Sequence, residues 1–309
     1  MSIAEKALAL PYVLPEYCVI EVPMDNILID SLLDKYKSKV KFIGSQHPVI
    51  KQIKHIQNNT SDESEKLLAA EGMWSHQKLL DTDLFINCLL VCPELIYSEE
   101  GVELVESLIN RAAETFIISK KLFEKITDRD DPDGFASIVR IPDYEIGNLQ
   151  VKDDSLILVL DGLEKPGNIG TIIRSCDGAG VDAVLICNKK IRLTNPKLVK
   201  GSMGAVFTIP IIEIGDIGEC MSWLKAHDFH IYLADTRADK TYKSFDYIGN
   251  TVLVVGNERY GICGEWYSCN PQLLSIPMLG MCDSLNVGVA ASVITYEIRM
   301  MKLQIGADV

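Results

Sequence analysis

Nowhere in this 309-residue sequence do apolar residues run to the roughly 18 in succession that a membrane-spanning helix needs. The opening stretch, MSIAEKALALPYVLPEY, has no basic segment ahead of its short apolar run, so a secretory signal is not expected. Internal repeats and low-complexity tracts are missing, which argues against solenoids and arrays. So are the even, regularly spaced cysteines of a disulfide scaffold. The nine cysteines present, scattered from Cys18 to Cys282, read as the reduced thiols of a cytoplasmic protein. Nor is this the polar, like-charged composition of a disordered chain: 48% hydrophobic and 24% charged residues support an ample core, and the length suits roughly two domains.

A basic excess is also lacking. The formal charge of −13 speaks against indiscriminate binding of polyanions, which needs a basic face. The charges are unevenly placed, however, with 11 acids against 5 bases between Glu94 and Asp133. Two windows hold bases and no acids: Lys35, Lys37, Lys39, Lys41, Lys51 and Lys54, then Lys189, Lys190, Arg192, Lys197 and Lys200. Such runs are ordinarily solvated faces. Here they leave room for an RNA path, with Lys51, Lys54, Lys189, Lys190, Arg192, Lys197 and Lys200 as its candidate residues.

What is present is alternation. Residues 1–40, broken by Pro11, Pro15 and Pro23, read as an N-terminal extension. Residues 41–142 alternate helix and strand: helices over 47–57, 61–80, 101–114 and 120–127, strands over 85–95, 116–119 and 135–141. That pattern predicts a small α/β domain. The polar, turn-rich stretch 143–153 reads as a linker between two self-sufficient units. From 154 to 309 the strands LILVLDG, AVLIC, HIYLAD, TVLVVG and LLSIPM are near-continuous apolar runs separated by helices, the pattern of a parallel sheet covered on both faces.

Three strand-to-helix junctions in this second unit carry polar residues. After LVLDG comes Pro166-Gly167-Asn168, with Asn168 placed to cap a helix whose core face is Ile169, Ile172, Ile173 and Cys176. Arg174 lies off that face, on the side of Thr171; a lone helix arginine is ordinarily a surface residue. TVLVVG runs into Asn257-Glu258, with Gly261 three residues further on. LLSIPM turns through Leu279-Gly280 into a helix that Ser284 would cap. In open α/β sheets, loops at the carboxyl ends of strands are where ligands bind. Neither the dinucleotide GxGxxG fingerprint nor the GxxxxGK[ST] phosphate loop occurs at these turns.

Together the three segments resemble the SpoU (TrmH) branch of the SPOUT superfamily, S-adenosylmethionine-dependent RNA 2′-O-ribose methyltransferases. The first family motif is matched by Asn168, Gly170 and Arg174, the second by Gly256, Glu258 and Gly261. The third is matched by Ile276, Pro277 and Met278 with Ser284, Leu285, Asn286 and Val287. The first unit is similar to the family's small RNA-binding domain, on Ala70-Glu71-Gly72 and the segment Thr127–Gly134. Departures are Lys165 where many members have an acid, Gly288 for a common serine, and Arg259 at a usually small position.

The resemblance implies an α/β chain with a C-terminal SPOUT-type parallel sheet tied in a trefoil knot, plus a small N-terminal α/β RNA-binding domain. It implies a homodimer across the knot, with RNA as partner and no membrane. Gly256, Ile276, Met278 and Leu285 would contact S-adenosylmethionine. Arg174, Asn168, Glu258, Ser284 and Asn286 would make up the catalytic set, and residues 41–142 would carry the RNA affinity. The expected reaction is methylation of a ribose 2′-hydroxyl, with ribosomal RNA ahead of tRNA. A non-catalytic RNA-binding knot protein is the alternative. A metalloenzyme is disfavoured and no metal is expected: Cys88 and Cys92, Cys263 and Cys269, and His227 and His230 match no known ligand spacing.

Overall fold

The computed structural model describes residues 27–127 and 129–307. In the N-terminal domain, α1 (Ile27–Lys35) precedes β1 (Val40–Phe42), α2 (Pro48–Gln57), β2 (Leu67–Glu71), α3 (Met73–Leu80) and β3 (Phe85–Val91). Then come α4 (Glu99–Arg111), β4 (Thr115–Ile117), α5 (Lys120–Phe123) and β5 (Phe135–Arg140). The sheet order is β1-β4-β3-β5-β2, with β5 antiparallel to β3 and β2 and the other pairs parallel. Most of the expected extension lies outside the described residues, but its end belongs to this domain. Ile29, Leu32 and Leu33 of α1 pack with Val105 and Leu108 of α4 in one buried cluster.

The expected helix over 61–80 is not one element. It divides into a turn at Glu63–Glu65, strand β2 and helix α3. Leu67-Leu68-Ala69-Ala70 fits either a helix face or a buried strand, and periodicity alone cannot choose between them. Gly72, at φ 87°, ends the strand and turns the chain into α3.

His76, fully buried on α3, places Nδ1 2.7 Å from the Gly72 carbonyl and Nε2 2.8 Å from the Ser137 hydroxyl. Burial lowers its pKa to about 4. The unfolded chain therefore takes up this proton first, and stability falls as the pH drops from about 6.5 through about 4. Between pH 7 and pH 5 the expected loss is about 2 kcal/mol. Urea midpoints at the two pH values, compared with those of His76→Gln, would check it; equal shifts in both proteins would show that the imidazole is not responsible.

The second domain has β6 (Leu156–Asp161), α6 (Pro166–Gly178), β7 (Ala183–Cys187), α7 (Pro196–Ser202) and β8 (Ile211–Glu213). It continues through α8 (Ile217–Ala226), β9 (His230–Ala234), β10 (Thr251–Gly256), β11 (Gln272–Leu274) and α9 (Val287–Ala307). The six strands run parallel in the order β11-β9-β10-β6-β7-β8; five of them fall in the apolar runs that predicted a parallel sheet, and β8 adds a sixth. Ile169, Ile172, Ile173 and Cys176 are buried, so the core face of α6 is the expected one. Close packing of α6 on α7 depends on Gly170, where a Cβ would come within 2.5 Å of the Leu198 carbonyl oxygen. No helix among the described residues is long and apolar enough to cross a membrane, and the eight cysteines described are free thiols.

The two domains are not separate bodies. Leu68, Ala70, Leu79, Val139 and Ile141 of the first share a buried cluster with Ile169, Leu198, Ala205 and Phe207 of the second. Lys78 pairs with Asp177 at 2.8 Å across the same boundary. Ile146, Leu149 and Val151 of the expected linker pack on the opposite face of the second sheet.

Candidate active site and cofactor cavity

The carboxyl ends of β6 and β10 and the start of α9 bring the three junctions together. Helix α6 starts at Pro166, with Lys165 rather than Asn168 as its N-cap. A proline at the first helical position needs no N–H and is already set to the helical φ, so the helix begins before the asparagine. The Asn168 side chain, expected as a cap, is instead free to point outward. Its Nδ2 donates to Glu258 Oε1 at 2.6 Å, and its Oδ1 accepts from Asn286 Nδ2 at 3.3 Å. One hydrogen-bonded relay, Glu258–Asn168–Asn286, thus joins all three motifs.

Two members of the relay have further partners. Asn286 Oδ1 accepts from the Gly288 amide at 2.9 Å, so Asn286 rather than Ser284 caps α9. Ser284 instead donates to Asp283 Oδ1 at 3.1 Å. Lys165, the departure from the family pattern, stands 3.3 Å from Glu258 Oε1 and supplies a positive charge there. A Cβ at position 288 would lie 3.1 Å from Asn286 Oδ1, so a larger residue there would crowd this cap. Gly256 is demanded by close approach, since a Cβ there would sit 2.4 Å from the Gly261 backbone. Arg259 lies over the Tyr260 ring at 5.2 Å.

Arg174 is exposed on α6, six residues or about 9 Å along the axis from Asn168. Its helix neighbours Thr171 and Gly178 abut Gly288 and Tyr296 of α9, so it lies beside the α6–α9 seam.

A cavity of about 260 Å³ opens next to the relay, walled by Ile276, Pro277, Met278 and Leu285, with Asp235, Asp283 and Ser284 as polar groups. Three of the four predicted cofactor residues therefore line one space. Gly256 is not among its walls, and its role is to let the loop fold back. Asp235 carried no motif; its only signal was an acid at the end of an apolar strand. It accepts from Arg237 at 2.9 Å and from the Tyr267 hydroxyl at 2.7 Å, and the arginine holds its carboxyl at about 2. Asp161 and Asn257 were missed for the same reason. Asp161 Oδ2 accepts from the Cys263 amide at 2.6 Å, and Asn257 Nδ2 donates to the Gly162 carbonyl at 2.8 Å, fixing the loops.

The predicted RNA residues are divided. Lys51, Lys54, Lys190 and Lys197 are exposed. Lys189 is held by Glu63 at 2.6 Å and Glu213 at 2.9 Å. Arg192 meets Glu63 at 3.2 Å and donates to the Ser61 carbonyl at 2.9 Å. Two of the seven therefore fasten the domains together. Lys200 stands on the wall of an interdomain cavity. Ala70-Glu71-Gly72 and Thr127–Gly134, far apart in sequence, also meet: Thr127 donates to Glu71 at 2.9 Å, and Asp133 accepts from the Met73 amide at 2.8 Å.

A parallel α/β sheet with a polar relay at its carboxyl edge, beside an apolar cavity rimmed by acids, is the arrangement in which open α/β sheets bind small molecules. Comparison with known proteins narrows the class. Residues 155–296 match the SpoU rRNA Methylase family and residues 47–137 the MRM3-like substrate binding domain. The second domain, over residues 155–296, is thus similar to the SpoU rRNA methylases.

The 23S rRNA (uridine(2479)-2′-O)-methyltransferase of Streptomyces viridochromogenes is 32% identical over 171 residues, 54% of this chain and 60% of that relative. The matched region thus spans less than two thirds of that relative's length. The 23S rRNA (guanosine(2553)-2′-O)-methyltransferase RlmP of Bacillus subtilis (strain 168) is 26% identical over 195 residues, 63% of this chain and 76% of that one. A solved AdoMet-bound rRNA methyltransferase from Sinorhizobium meliloti has a TM-score of 0.75 at 26% identity, covering 85% of this chain and 98% of that one.

Proposed function

We propose that this protein transfers a methyl group from S-adenosylmethionine to a ribose 2′-hydroxyl of RNA, ribosomal RNA in the first instance, in the cytoplasm. The observation that carries the reading is the Glu258–Asn168–Asn286 relay beside the cavity walled by Ile276, Met278 and Leu285. The cavity suits the cofactor chemically: apolar walls for an adenine, and the exposed Asp283 carboxylate for a ligand bearing sulfonium and ammonium charges, Asp235 being already paired with Arg237. When bound, S-adenosylmethionine supplies an electrophilic methyl group. The chain's own residues align the ribose behind it and exclude water. Asn168, Glu258, Asn286 and Ser284 orient the sugar. Arg174 clamps the neighbouring phosphate and stabilises charge growing on the 2′-oxygen. A guanidinium is never neutral in proteins, so Arg174 is not the base.

The working unit of this reading is a homodimer. Val289, Val293, Tyr296, Met300 and Leu303 recur at alternating spacings of four and three along α9, and all are exposed. Leu279 and Met281, at 97% and 105% exposure, extend the apolar surface beside the cavity. A face of this kind on a soluble chain calls for a partner, and a second copy would bring its own α9 and Arg174 to the seam. A trefoil knot in 272–307 is supported by the chain path: β11 lies at one edge of the sheet, and α9 returns to pack on α6.

Calorimetry should show one S-adenosylmethionine per chain, and light scattering a mass of two chains. Labelled cofactor with ribosomal RNA should give an alkali-resistant linkage at one nucleotide. Transfer to tRNA alone would move the substrate class, and no binding at millimolar cofactor would sink the reading.

A further inference from the structure

A second cavity, of about 290 Å³, lies between the domains. Helix α7 presents Leu198 and Gly201 to α6 and, on its other side, Val199 and Met203 to this cavity. The facing wall belongs to the N-terminal domain and includes Trp74, Glu71 and Arg129.

Three observations suggest that this space is built for a ligand. Trp74 is 59% exposed and Met203 45%, apolar surface left in water on opposite sides of one small space. Met203 ends α7 at φ 50°, where glycine is the low-cost residue, so a large side chain is kept there against backbone preference. Thr194, also on the wall and 4% exposed, has a buried hydroxyl with no hydrogen-bond partner among the described residues. A buried hydroxyl without a partner is costly and calls for an explanation.

The walls describe the occupant. It has a flat face for Trp74, an apolar edge for Met203 and polar edge atoms for Thr194 and Arg129. The Glu71 carboxylate nearby is fixed by Gln57 at 2.6 Å and Thr127 at 2.9 Å. We infer that this cavity takes one unpaired nucleobase of the substrate RNA, stacked on Trp74. The inference rests on the reading above that the substrate is RNA. Aromatic stacking of splayed-out bases is the general means of recognising single-stranded RNA. The base is not the one whose ribose is methylated, because α7, about 10 Å thick, stands between this cavity and α6. It is a neighbour a few nucleotides away, and its capture sets the register of the RNA. Exposed Lys190 and Lys197, just before α7 and at its start, provide cationic footing for the intervening phosphates.

The test measures filter binding of deproteinised 23S ribosomal RNA and, in parallel, methyl transfer to it from labelled cofactor. Trp74→Ala should raise both the RNA Kd and KM about tenfold, the scale of one stacked base, with kcat at saturating RNA and cofactor affinity unchanged. Trp74→Phe should recover most of the loss. Thr194→Val should raise KM a few-fold while its thermal midpoint holds or rises; an idle orphan hydroxyl would leave KM unchanged. RNA Kd and KM within twofold of wild type in Trp74→Ala would overturn the inference. If wild type binds RNA in a Trp74-dependent way but transfers no methyl, the cavity stands and the catalytic reading falls. If wild type methylates and Trp74→Ala does so with the same KM, the reverse holds. Failure of wild type to bind the RNA at all defeats both.

Discussion

Replacing Arg174 with alanine should lower turnover by about 10² or more, the scale of removing one positioned stabiliser of developing charge. The protein should otherwise be close to wild type. The core face of α6 closes through Ile169, Ile172, Ile173 and Cys176 without this side chain, which is exposed and makes no hydrogen bond or ion pair among the described residues. Cofactor affinity should hold as well, because Arg174 is not on the wall of the 260 Å³ cavity. Arg174→Lys should restore little, since an ammonium cannot reproduce the planar two-pronged contact of a guanidinium with a phosphate. If Arg174 were only a solvated surface residue, both variants would methylate at the wild-type rate. Transfer within a few-fold of wild type by a folded alanine variant would remove it from the mechanism.

How much of this site could be read in the sequence depended on what kind of signal each residue gave. Glu258 follows a strongly apolar strand by two residues, Asn168 and Asn286 lie in short motifs at helix starts, and all three meet in the relay. Their individual roles were less legible. Asn168 reads as a cap because Asn is a favoured capping residue, but Pro166 starts the helix first and sends that side chain to Glu258. Ser284 reads as the cap of the closing helix, yet Asn286, two residues later, takes the Gly288 amide. Asp235 gave only the weak signal of an acid ending an apolar strand, since its setting depends on Tyr267, 32 residues on, meeting it beside Arg237. The parallel sheet was plain from its buried runs. Strand β2 was hidden, because its four apolar residues satisfy a helix as well as a strand.

The least legible feature was how the domains meet, and it gives the largest expected effect on stability. Periodicity marks Leu79 as a buried residue of α3 without saying what buries it. It is 0% exposed, in the cluster that includes Ile169, Leu198 and Phe207 of the second domain. Leu79→Ala should therefore cost about 2–5 kcal/mol, the range for emptying a well-packed leucine site. The loss should be felt by both domains. The sequence pattern, taken alone, predicts two self-sufficient units and hence a variant that weakens only the first. The shared core and the Lys78–Asp177 pair predict one cooperative transition that moves as a whole. Urea unfolding distinguishes the two cases, followed at once by far-ultraviolet circular dichroism and by retention of S-adenosylmethionine, whose proposed cavity lies wholly in the second domain. Coincident curves displaced together in Leu79→Ala are the expected result. A cofactor-retention curve that stays at its wild-type midpoint while the dichroism shifts would mean that the domains unfold independently.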